Sequence, residues 1–394
     1  MTHITEHKRI HLIGIGGCSM SGLASILKNR GYYVQGSDRA ESPFTERLKE
    51  LGVPVFIGHD AKNIGDCDLI IFSAAIKPDN IERAEAKRCG IPELERSEAL
   101  GQLTEGYESV VGIAGCHGKT TITSMLALIC EQGGPDATVH IGGFVDFLNG
   151  GVRLGAHDMF ITEACEYVES FLTLRPTIAL INNIDNDHLD YYGDMEHIVA
   201  AFKKFAALLP ENGLLIGNTD DFRVRALMAE HTGRKLSYGM KDADYTPANT
   251  TYDDNGCPGF DIMFRGEKLM HIQLRIPGEH SVMNAIAAAA VAREIGADDK
   301  CIVSALNAFR NTRRRFEYYG ERNGVKYYHD YGHHPSEIAA TMKAASNVKH
   351  NKLFCVFQCN SYTRAKTLFL NDVTCFNLAD ETLVPDIYPG REKD

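Results

Sequence analysis

The stretch Gly115-Cys116-His117-Gly118-Lys119-Thr120-Thr121 follows an apolar segment, residues 110–114, and precedes a run of helix-forming residues. A glycine-rich turn between a strand and a helix leaves backbone N–H groups free to cradle phosphate oxygens. Lys119 would neutralise the β- and γ-phosphate oxygens, and a Thr hydroxyl would reach Mg²⁺. The full Walker pattern has glycine where this chain has Ile113. The strand, the Gly-Lys-Thr-Thr run and the helix together still predict a phosphate loop (P-loop).

A second glycine-rich turn lies near the N-terminus, at Gly14-Ile-Gly16-Gly17-Cys-Ser-Met20-Ser21-Gly22. It also leaves a predicted strand and enters a predicted helix, and Asp38 closes the next strand, where an acid that contacts ribose is expected. The strict Gly-x-Gly-x-x-Gly pattern fails, because Ser19 occupies its sixth position. The pattern favours a nucleoside diphosphate site; the alternative is a turn that only lets the helix and strand pack.

Strand-like and helix-like segments alternate along most of the chain, which predicts parallel βαβ units and an α/β fold. A polar stretch and a basic one divide the chain into three predicted domains, residues 1–107, 108–311 and 312–394. Residues 241–276 interrupt the alternation with short runs separated by Pro, Gly, Asp and Asn, which predicts an antiparallel insertion. The last domain holds only two or three predicted strands, among them 325–331 and 353–358.

Two candidate metal ligands follow predicted strands of the central domain. Glu163 ends the strand 159–164, and His188 comes shortly after the strand 178–182. Ligands gather at the carboxyl ends of parallel strands, so both residues are expected beside the P-loop, where they could hold Mg²⁺. The alternative for His188 is a hydrogen-bonded loop histidine.

Two motifs open the last domain. The basic run Arg313-Arg314-Arg315-Phe316 is either a solvated face or a donor group for a γ-phosphate. The run His329-Asp330-Tyr331-Gly332-His333-His334-Pro335 follows a strand and is either a zinc site or a ligand-binding loop. Asp330 and the turn at Pro335 favour the loop.

Composition excludes several classes of protein. The 394 residues carry a formal net charge of −11, which disfavours broad binding to nucleic acid or to anionic membranes. No window approaches the roughly 18 apolar residues of a membrane span, and the first residues are too polar for a secretory signal. The 11 cysteines form no Cys-x-x-Cys pair and are expected to be reduced thiols, which predicts a cytoplasmic protein.

These motifs, together with Asp187-His-Leu-Asp190, resemble those of the Mur ligases, in one collinear order along nearly the whole chain. The resemblance implies a three-domain α/β architecture: a Rossmann-like N-terminal domain for a UDP-sugar, a central P-loop ATPase domain and an incomplete Rossmann-like C-terminal domain. It implies ATP-dependent ligation of L-alanine to UDP-N-acetylmuramate through an acyl phosphate, in peptidoglycan precursor synthesis. ATP and Mg²⁺ are the implied cofactors, and a monomer or homodimer is expected.

The resemblance also assigns roles to individual residues. The implied ATP-binding residues are Gly115, Cys116, His117, Gly118, Lys119, Thr120, Thr121, His280, Asn284, Arg315 and Asp330. The implied UDP-sugar-binding residues are Gly14, Gly16, Gly17, Met20, Ser21, Asp38 and Ser73. Tyr331, His333 and Arg364 are implied at the amino-acid site, Thr120, Glu163 and His188 at the metal, and Lys119, His188, Arg315 and His333 in catalysis.

The chain departs from the family pattern at several positions. Cys116 and Ser281 replace a usual Thr and Asn, and Phe357-Gln-Cys-Asn-Ser-Tyr362-Thr-Arg364-Ala lacks the Pro, His and final Thr of the family stretch. The short last domain is expected to open first and to reduce the ligation rate. Two alternatives follow: a catalytically impaired homologue that binds the UDP-sugar and ATP, and a ligase that reattaches a peptide to the same sugar nucleotide. An unrelated P-loop kinase is disfavoured, because it would not explain the N-terminal glycine turn.

Overall fold

The computed structural model describes residues 2–156, 158–310, 312–360, 362, 365–366 and 373–389. The chain forms two compact units, Met1–Leu236 and Ser237–Asp394. The two sheets of the first unit, in which all strands but one pair parallel, and the mixed α/β character of the second unit confirm the predicted fold class.

The first unit begins with a five-stranded parallel sheet in the order β3-β2-β1-β4-β5. Its central strand β1 is buried almost throughout, as expected for a parallel strand covered by helices on both faces. Gly17 is the N-cap residue of α1, whereas α2 and α3 are capped by the side chains of Ser42 and Asn80. The elements are β1 Arg9–Ile13, α1 Cys18–Asn29, β2 Tyr33–Asp38, α2 Pro43–Glu50, β3 Val55–Ile57, β4 Leu69–Phe72, α3 Ile81–Cys89, β5 Glu93–Glu95 and α4 Arg96–Thr104, with 3₁₀ turns at Ile4–Glu6 and Ala61–Ile64.

A second sheet of the same unit carries the P-loop. Its strands follow the order β11-β10-β6-β9-β7-β8, all parallel except β8, which pairs antiparallel with β7. The elements are β6 Ser109–Ala114, α5 Lys119–Glu131, β7 Thr138–Val145, β8 Gly150–Arg153, β9 Met159–Ala164, β10 Ile178–Ile181, α6 Leu189–Tyr192, α7 Met195–Ala206, β11 Leu214–Asn218 and α8 Phe222–Glu230, with 3₁₀ turns at Asp146–Leu148 and Tyr167–Thr173.

The strand β12, Arg234–Tyr238, leads from the first unit into the second. The second unit opens with the antiparallel strands β13 to β15, which confirms the predicted antiparallel insertion. An antiparallel hairpin, β16 and β17, replaces the single strand expected at 325–331, and β18 pairs parallel with β19. The elements are β13 Tyr245–Tyr252, β14 Pro258–Phe264, β15 Glu267–Gln273, α9 Glu279–Glu294, α10 Asp299–Ala308, β16 Glu317–Arg322, β17 Val325–His329, α11 Pro335–Asn347, β18 Phe354–Val356 and β19 Glu381–Leu383.

The two sheets of the first unit share one apolar core, which runs from Ile4 to Met228 and includes both Leu23 on α1 and Phe160 on β9. This shared core explains why the two compact units do not divide the chain at residue 107. The domain bounds 1–107, 108–311 and 312–394 therefore stay predictions. Among the described residues, no helix has both the length and the apolar character that a membrane crossing requires.

Candidate active site

The P-loop joins β6 to α5, and the segment that follows β10 holds it through hydrogen bonds. Gly115 has a φ of +140° and Gly118 has a φ of +86°, conformations that residues with a Cβ rarely adopt. Asn183 accepts the N–H of His117 at 2.8 Å and donates to its carbonyl oxygen at 3.1 Å. The Cys116 thiol donates to the Asp185 carbonyl and accepts the Asp185 N–H. Cysteine therefore takes the usual threonine position with its hydrogen bonds satisfied.

The P-loop lysine points back into the loop. Its Nζ donates to the carbonyl oxygens of Gly115 and Cys116 and lies 2.7 Å from Oε2 of Glu166, a side chain only 2% exposed. Burial opposes the charged form of Lys119, but the adjacent carboxylate outweighs it, so the pKa of Lys119 lies above its ordinary value. Lys119 therefore carries a fixed positive charge at the start of α5.

Thr120 and Glu163, two predicted metal ligands, are in contact. The Thr120 hydroxyl donates to Oε2 of Glu163 at 3.0 Å, and the backbone N–H of Gly142 on β7 donates to Oε1 at 2.5 Å. A Cβ at position 142 would lie 2.8 Å from this carboxylate, so the strand can approach it only through glycine. The carboxylate is thereby fixed beside the first turn of α5.

His188 lies with a second pair of carboxylates. Its Nε2 is 3.7 Å from Oε1 of Glu166 and 3.6 Å from Oδ2 of Asp187, and one ligand atom from each of the three residues lies within 4.8 Å of the others. The residue has a φ of +56°, and its ring packs on Tyr167 with centroids 4.8 Å apart. The structure thus joins His188 to Glu166 and Asp187, whereas Thr120 meets Glu163. The predicted metal set stays a prediction.

The N-terminal glycine loop is fixed by the end of β2. The carbonyl oxygen of Ser37 accepts the N–H groups of Gly14 and Ile15 at 2.8 and 3.0 Å, and Oδ2 of Asp38 accepts the N–H of Gly16 at 2.8 Å. A Cβ on Gly16 would meet Thr45 at 2.7 Å, so the close approach requires glycine. Asp38, the acid that the sequence predicts at this site, therefore fixes the conformation of the loop.

The remaining predicted sugar-nucleotide residues occupy different environments. Ser73 directly follows β4 and donates its N–H to Ile13, which places it at the same sheet edge as the glycine loop. Met20 packs into the shared core, and the Ser21 hydroxyl donates to the carbonyl of Cys18. Because both of these side chains are buried in α1, their assignment to the ligand stays a prediction.

A buried polar network lies behind the glycine loop. Oε2 of Glu82 on α3 accepts hydrogen bonds from Ser37 at 2.5 Å and from His11 at 3.2 Å, and Oε1 accepts from Asn63 at 2.7 Å. Burial opposes the charged form of Glu82, but these hydrogen bonds outweigh it and hold the pKa at about 2. Glu82 therefore supports Ser37, the residue whose carbonyl holds the loop.

The second unit brings together four of its predicted residues and one that the sequence missed. Asp330 accepts the N–H groups of Phe316 and Gly332 at 2.7 and 2.6 Å. Glu337 on α11 accepts from Arg315 at 3.2 Å and from the N–H of His333 at the same distance. The rings of Tyr331 and His333 lie 5.4 Å apart. Through these contacts, the two predicted motifs lie together in one cluster.

The other predicted residues of the second unit lie on and beyond α9. His280 is exposed in the first turn of this helix and Asn284 is buried one turn later, while Arg364 lies outside the described residues. The buried His334 caps α11, and His329 ends β17. Among the described residues, no group of three potential metal ligands contains more than one of His329, His333 and His334, and the zinc site stays an untested alternative.

Three functional candidates were not singled out from the sequence: Glu166, Asn183 and Glu337. Glu166 follows Glu163 by three residues at a strand end, and Asn183 directly precedes the loop that carries His188, so their positions gave a usable signal. Glu337 gave none, because an acid in the first turn of a helix is ordinary.

Family models match three consecutive regions of the chain. The model described as Mur ligase family, catalytic domain, matches residues 9–108, and the Mur ligase middle domain matches residues 113–292. The model described as Mur ligase, glutamate ligase domain, matches residues 314–384. Each region includes one of the sites described above.

Individual proteins are similar over almost the whole chain. A UDP-N-acetylmuramate–L-alanine ligase of Clostridium beijerinckii is 45% identical over 390 residues, which cover 99% of this chain and 85% of the relative. A solved UDP-N-acetylmuramate–alanine ligase of Thermotoga maritima has a TM-score of 0.82 at 28% identity, over 97% of this chain and 86% of the other. A murein peptide ligase of Psychrobacter arcticus has a TM-score of 0.76 at 26% identity, over 96% and 84%. The chain belongs to the Mur ligase family.

Proposed function

We propose that this chain joins L-alanine to UDP-N-acetylmuramate at the expense of ATP, forming an amide bond. The observation that carries the proposal is the 45% identity over 99% of the chain to a protein of that activity. The geometry agrees with it, since the first unit pairs a P-loop with a second glycine loop, each at the N-terminus of a helix. We assign the regions 1–107, 108–311 and 312–394 to the UDP-sugar, to ATP and to completion of the ligation site.

In the proposed reaction, the lactoyl carboxylate of the sugar nucleotide attacks the γ-phosphorus of ATP. ADP leaves, and the product is an acyl phosphate. The amine of L-alanine then attacks the acyl carbon, phosphate departs from the tetrahedral intermediate, and the amine loses a proton. Phosphoryl transfer of this kind depends on positioning and charge neutralisation rather than on an enzyme nucleophile. The residues described here supply these two effects.

Lys119 neutralises phosphate oxygens in this scheme. Its ammonium is fixed by the carbonyl oxygens of Gly115 and Cys116 and by Glu166. A preorganised charge stabilises the transition state without reorganising during the reaction. The backbone N–H groups of the loop and of the first turn of α5 provide further donors for the phosphates.

The residues beside Lys119 fit a magnesium ion. A hydroxyl on Thr120 and a carboxylate on Glu163 are hard oxygen ligands, and Glu166, Asp187 and His188 offer a second donor set close by. When bound, Mg²⁺ would supply charge that polarises the phosphate oxygens. We assign Thr120, Glu163 and His188 to the metal, with Glu166 and Asp187 orienting His188.

The second unit contributes the remaining groups in this proposal. The guanidinium of Arg315 is held by Glu337 and serves ATP, together with Asp330, His280 and Asn284. Tyr331 and His333 serve the amino acid, and so does Arg364. His333 is tied through its N–H to the same Glu337, so one carboxylate would orient both a phosphate-binding and an amine-binding group.

The test of the proposal is release of phosphate from ATP with UDP-N-acetylmuramate, with and without L-alanine. We expect release to require the amino acid and to yield one ADP for each amide formed. A chain that binds both nucleotides but releases no alanine-dependent phosphate would instead be the impaired homologue. The altered segment 357–365 is the observation that favours this second candidate.

A peptide-adding activity is tested in the same assay. The similarity to the murein peptide ligase of Psychrobacter arcticus favours this third candidate. Offering a tripeptide in place of L-alanine distinguishes the two ligases, because each should use only its own acceptor at a useful rate. We further propose small-molecule substrates only, a cytoplasmic site of action and a monomer or homodimer in solution.

A further inference from the structure

One buried histidine joins the helix after the N-terminal glycine loop to the strand that ends at Glu163. His140 lies on β7 and is 3% exposed. Its Nε2 is 3.1 Å from the carbonyl oxygen of Ser19 and 3.2 Å from the Ser19 hydroxyl, and its Nδ1 is 3.1 Å from the hydroxyl of Thr162 on β9. The imidazole therefore bridges α1 and β9 within the first unit.

The hydrogen-bonding pattern fixes the tautomer of this ring. A carbonyl oxygen can only accept, so Nε2 of His140 carries the proton and donates to Ser19. Nδ1 is then the acceptor, 3.1 Å from the Thr162 hydroxyl, whose single proton is also 3.1 Å (heavy-atom distance) from a second acceptor, the carbonyl oxygen of Glu163. Burial lowers the pKa of His140 to about 4, and the ring is therefore neutral near pH 7, as this tautomer requires. The contact of Nε2 with Ser19 and the contact of Nδ1 with Thr162 together fix the orientation of the imidazole.

The helix and the strand approach each other too closely for an intervening side chain. A Cβ on Gly22 of α1 would lie 2.8 Å from Cδ2 of His140. Glycine is unfavourable inside a helix, and this close approach accounts for its presence there. The thiol of Cys18 donates to the carbonyl of Ile141 at 3.6 Å, which adds a contact at the next residue of β7. The first turn of α1 is thus seated directly on β7.

Two strands hold Glu163: β9 carries it, and β7 donates an N–H to its carboxylate. Both strands also take part in the contacts of His140. His140 pairs in register with Thr162, which immediately precedes Glu163 on β9. Gly142, two residues beyond His140, donates its N–H to the Glu163 carboxylate. On the other side, Ser19 lies two residues after Gly17. One imidazole therefore contacts both the helix that follows the glycine loop and the strand that carries Glu163.

We propose that His140 is a positioning residue that couples the sugar-nucleotide loop to Glu163, so that UDP-N-acetylmuramate strengthens the binding of ATP. The inference rests on the proposed function for the identity of the two ligands. By thermodynamic linkage, ATP must strengthen the binding of the sugar nucleotide by the same factor. This change in affinity depends on a fixed relative position of Ser19 and Thr162. It is lost when either hydrogen bond of the imidazole is lost.

The test measures this factor by calorimetry. The dissociation constant of the β,γ-imido analogue of ATP, with Mg²⁺, is determined with and without saturating UDP-N-acetylmuramate. We expect a ratio of about 5 or more in the parent chain. His140→Leu should bring the ratio to about 1. His140→Gln keeps a donor near the Nε2 position, and His140→Asn keeps a polar atom near the Nδ1 position. Each variant retains only one of the two contacts of the ring, so its ratio should also be about 1.

Two further variants separate coupling from loss of structure. Thr138→Val removes a buried hydroxyl two residues away on β7 that bonds Gly155, and it should leave the ratio unchanged. Thr162→Val removes the partner of Nδ1, together with the hydrogen bond of that hydroxyl to the Glu163 carbonyl, and should lower the ratio even if His140→Leu does not fold. A parent ratio of 1, or a parent-like ratio in folded His140→Leu or Thr162→Val, would overturn the inference. Amide synthesis by the parent tests the proposed function separately.

Discussion

The ammonium of Lys119 and the carboxylate of Glu166 form a buried ion pair with an N–O distance of 2.7 Å. The lysine begins α5, whereas Glu166 follows β9, so the pair ties the P-loop to the neighbouring strand end. The other carboxylate oxygen of Glu166 lies 3.7 Å from Nε2 of His188. One acid thus stands between the phosphate-binding lysine and a candidate metal ligand.

Removing this acid should destabilise the first unit more than removing both partners. Glu166→Ala leaves a buried cation without its partner, a change that typically costs roughly 3–5 kcal/mol. The double variant with Lys119→Ala should recover much of that loss. Thermal unfolding of the parent, both single variants and the double variant gives the coupling energy. Additive effects would show that the pair is not coupled; Glu169→Ala, whose partner is the exposed Lys204, serves as the control and should change stability little.

Lys119→Ala should reduce ATP turnover by about 100-fold or more while UDP-N-acetylmuramate still binds. The sugar nucleotide is assigned to the loop fixed by Ser37 and Asp38, which is a different sheet edge from that of the P-loop. Loss of a preorganised charge typically costs about 100- to 1,000-fold in rate. The measurements are phosphate release and calorimetric binding, with Lys204→Ala as a surface control. Parent-rate turnover would refute the P-loop assignment.

Glu163→Gln and His188→Ala should each raise the Mg²⁺ concentration required for half-maximal activity. Glutamine keeps the shape of the side chain and can still contact Thr120, but it lacks the negative charge that attracts a divalent cation. We expect an increase of at least about tenfold, since even the loss of a residue that only orients a metal ligand costs about 10- to 100-fold in metal affinity. A magnesium titration of each variant measures it. An unchanged curve for His188→Ala would leave this residue as a structural loop histidine.

Glu82 should make stability depend on pH below neutrality. Its pKa is about 2 in the folded chain, against 4.5 for an unperturbed glutamate, so the stabilisation is complete above about pH 5 and is lost as the pH falls from 4.5 towards 2. The shift corresponds to roughly 3 kcal/mol. Thermal unfolding between pH 7 and 3 should show a smaller decrease in Glu82→Gln than in the parent. A surface variant, Glu50→Gln, should follow the parent; identical curves for all three would contradict the assignment.

The strand-loop-helix units were readable from the sequence because their signals are local. The P-loop, the N-terminal glycine turn and the antiparallel insertion each combine glycine or proline with apolar runs, and the structure has the expected elements at all three. The strand 159–164 was placed with its observed bounds, so Glu163 was correctly expected at a strand end.

The partners within the site were not readable, because they depend on contacts between distant segments. Lys119 pairs with Glu166 and Arg315 with Glu337 across 47 and 22 positions, respectively. The division of the chain into compact units could not be predicted from the sequence either, because a shared core joins α1 to the second sheet. His140 gave no motif; its role follows only from the side chains that surround it.

The most direct test of the central claim is the formation of UDP-N-acetylmuramoyl-L-alanine by the purified chain. ATP, Mg²⁺, UDP-N-acetylmuramate and L-alanine are combined, and the product is followed by mass spectrometry beside phosphate release. We expect one amide and one phosphate for each ATP consumed, with none when L-alanine is omitted. Binding of both nucleotides without any amide product, under the same conditions, would contradict it.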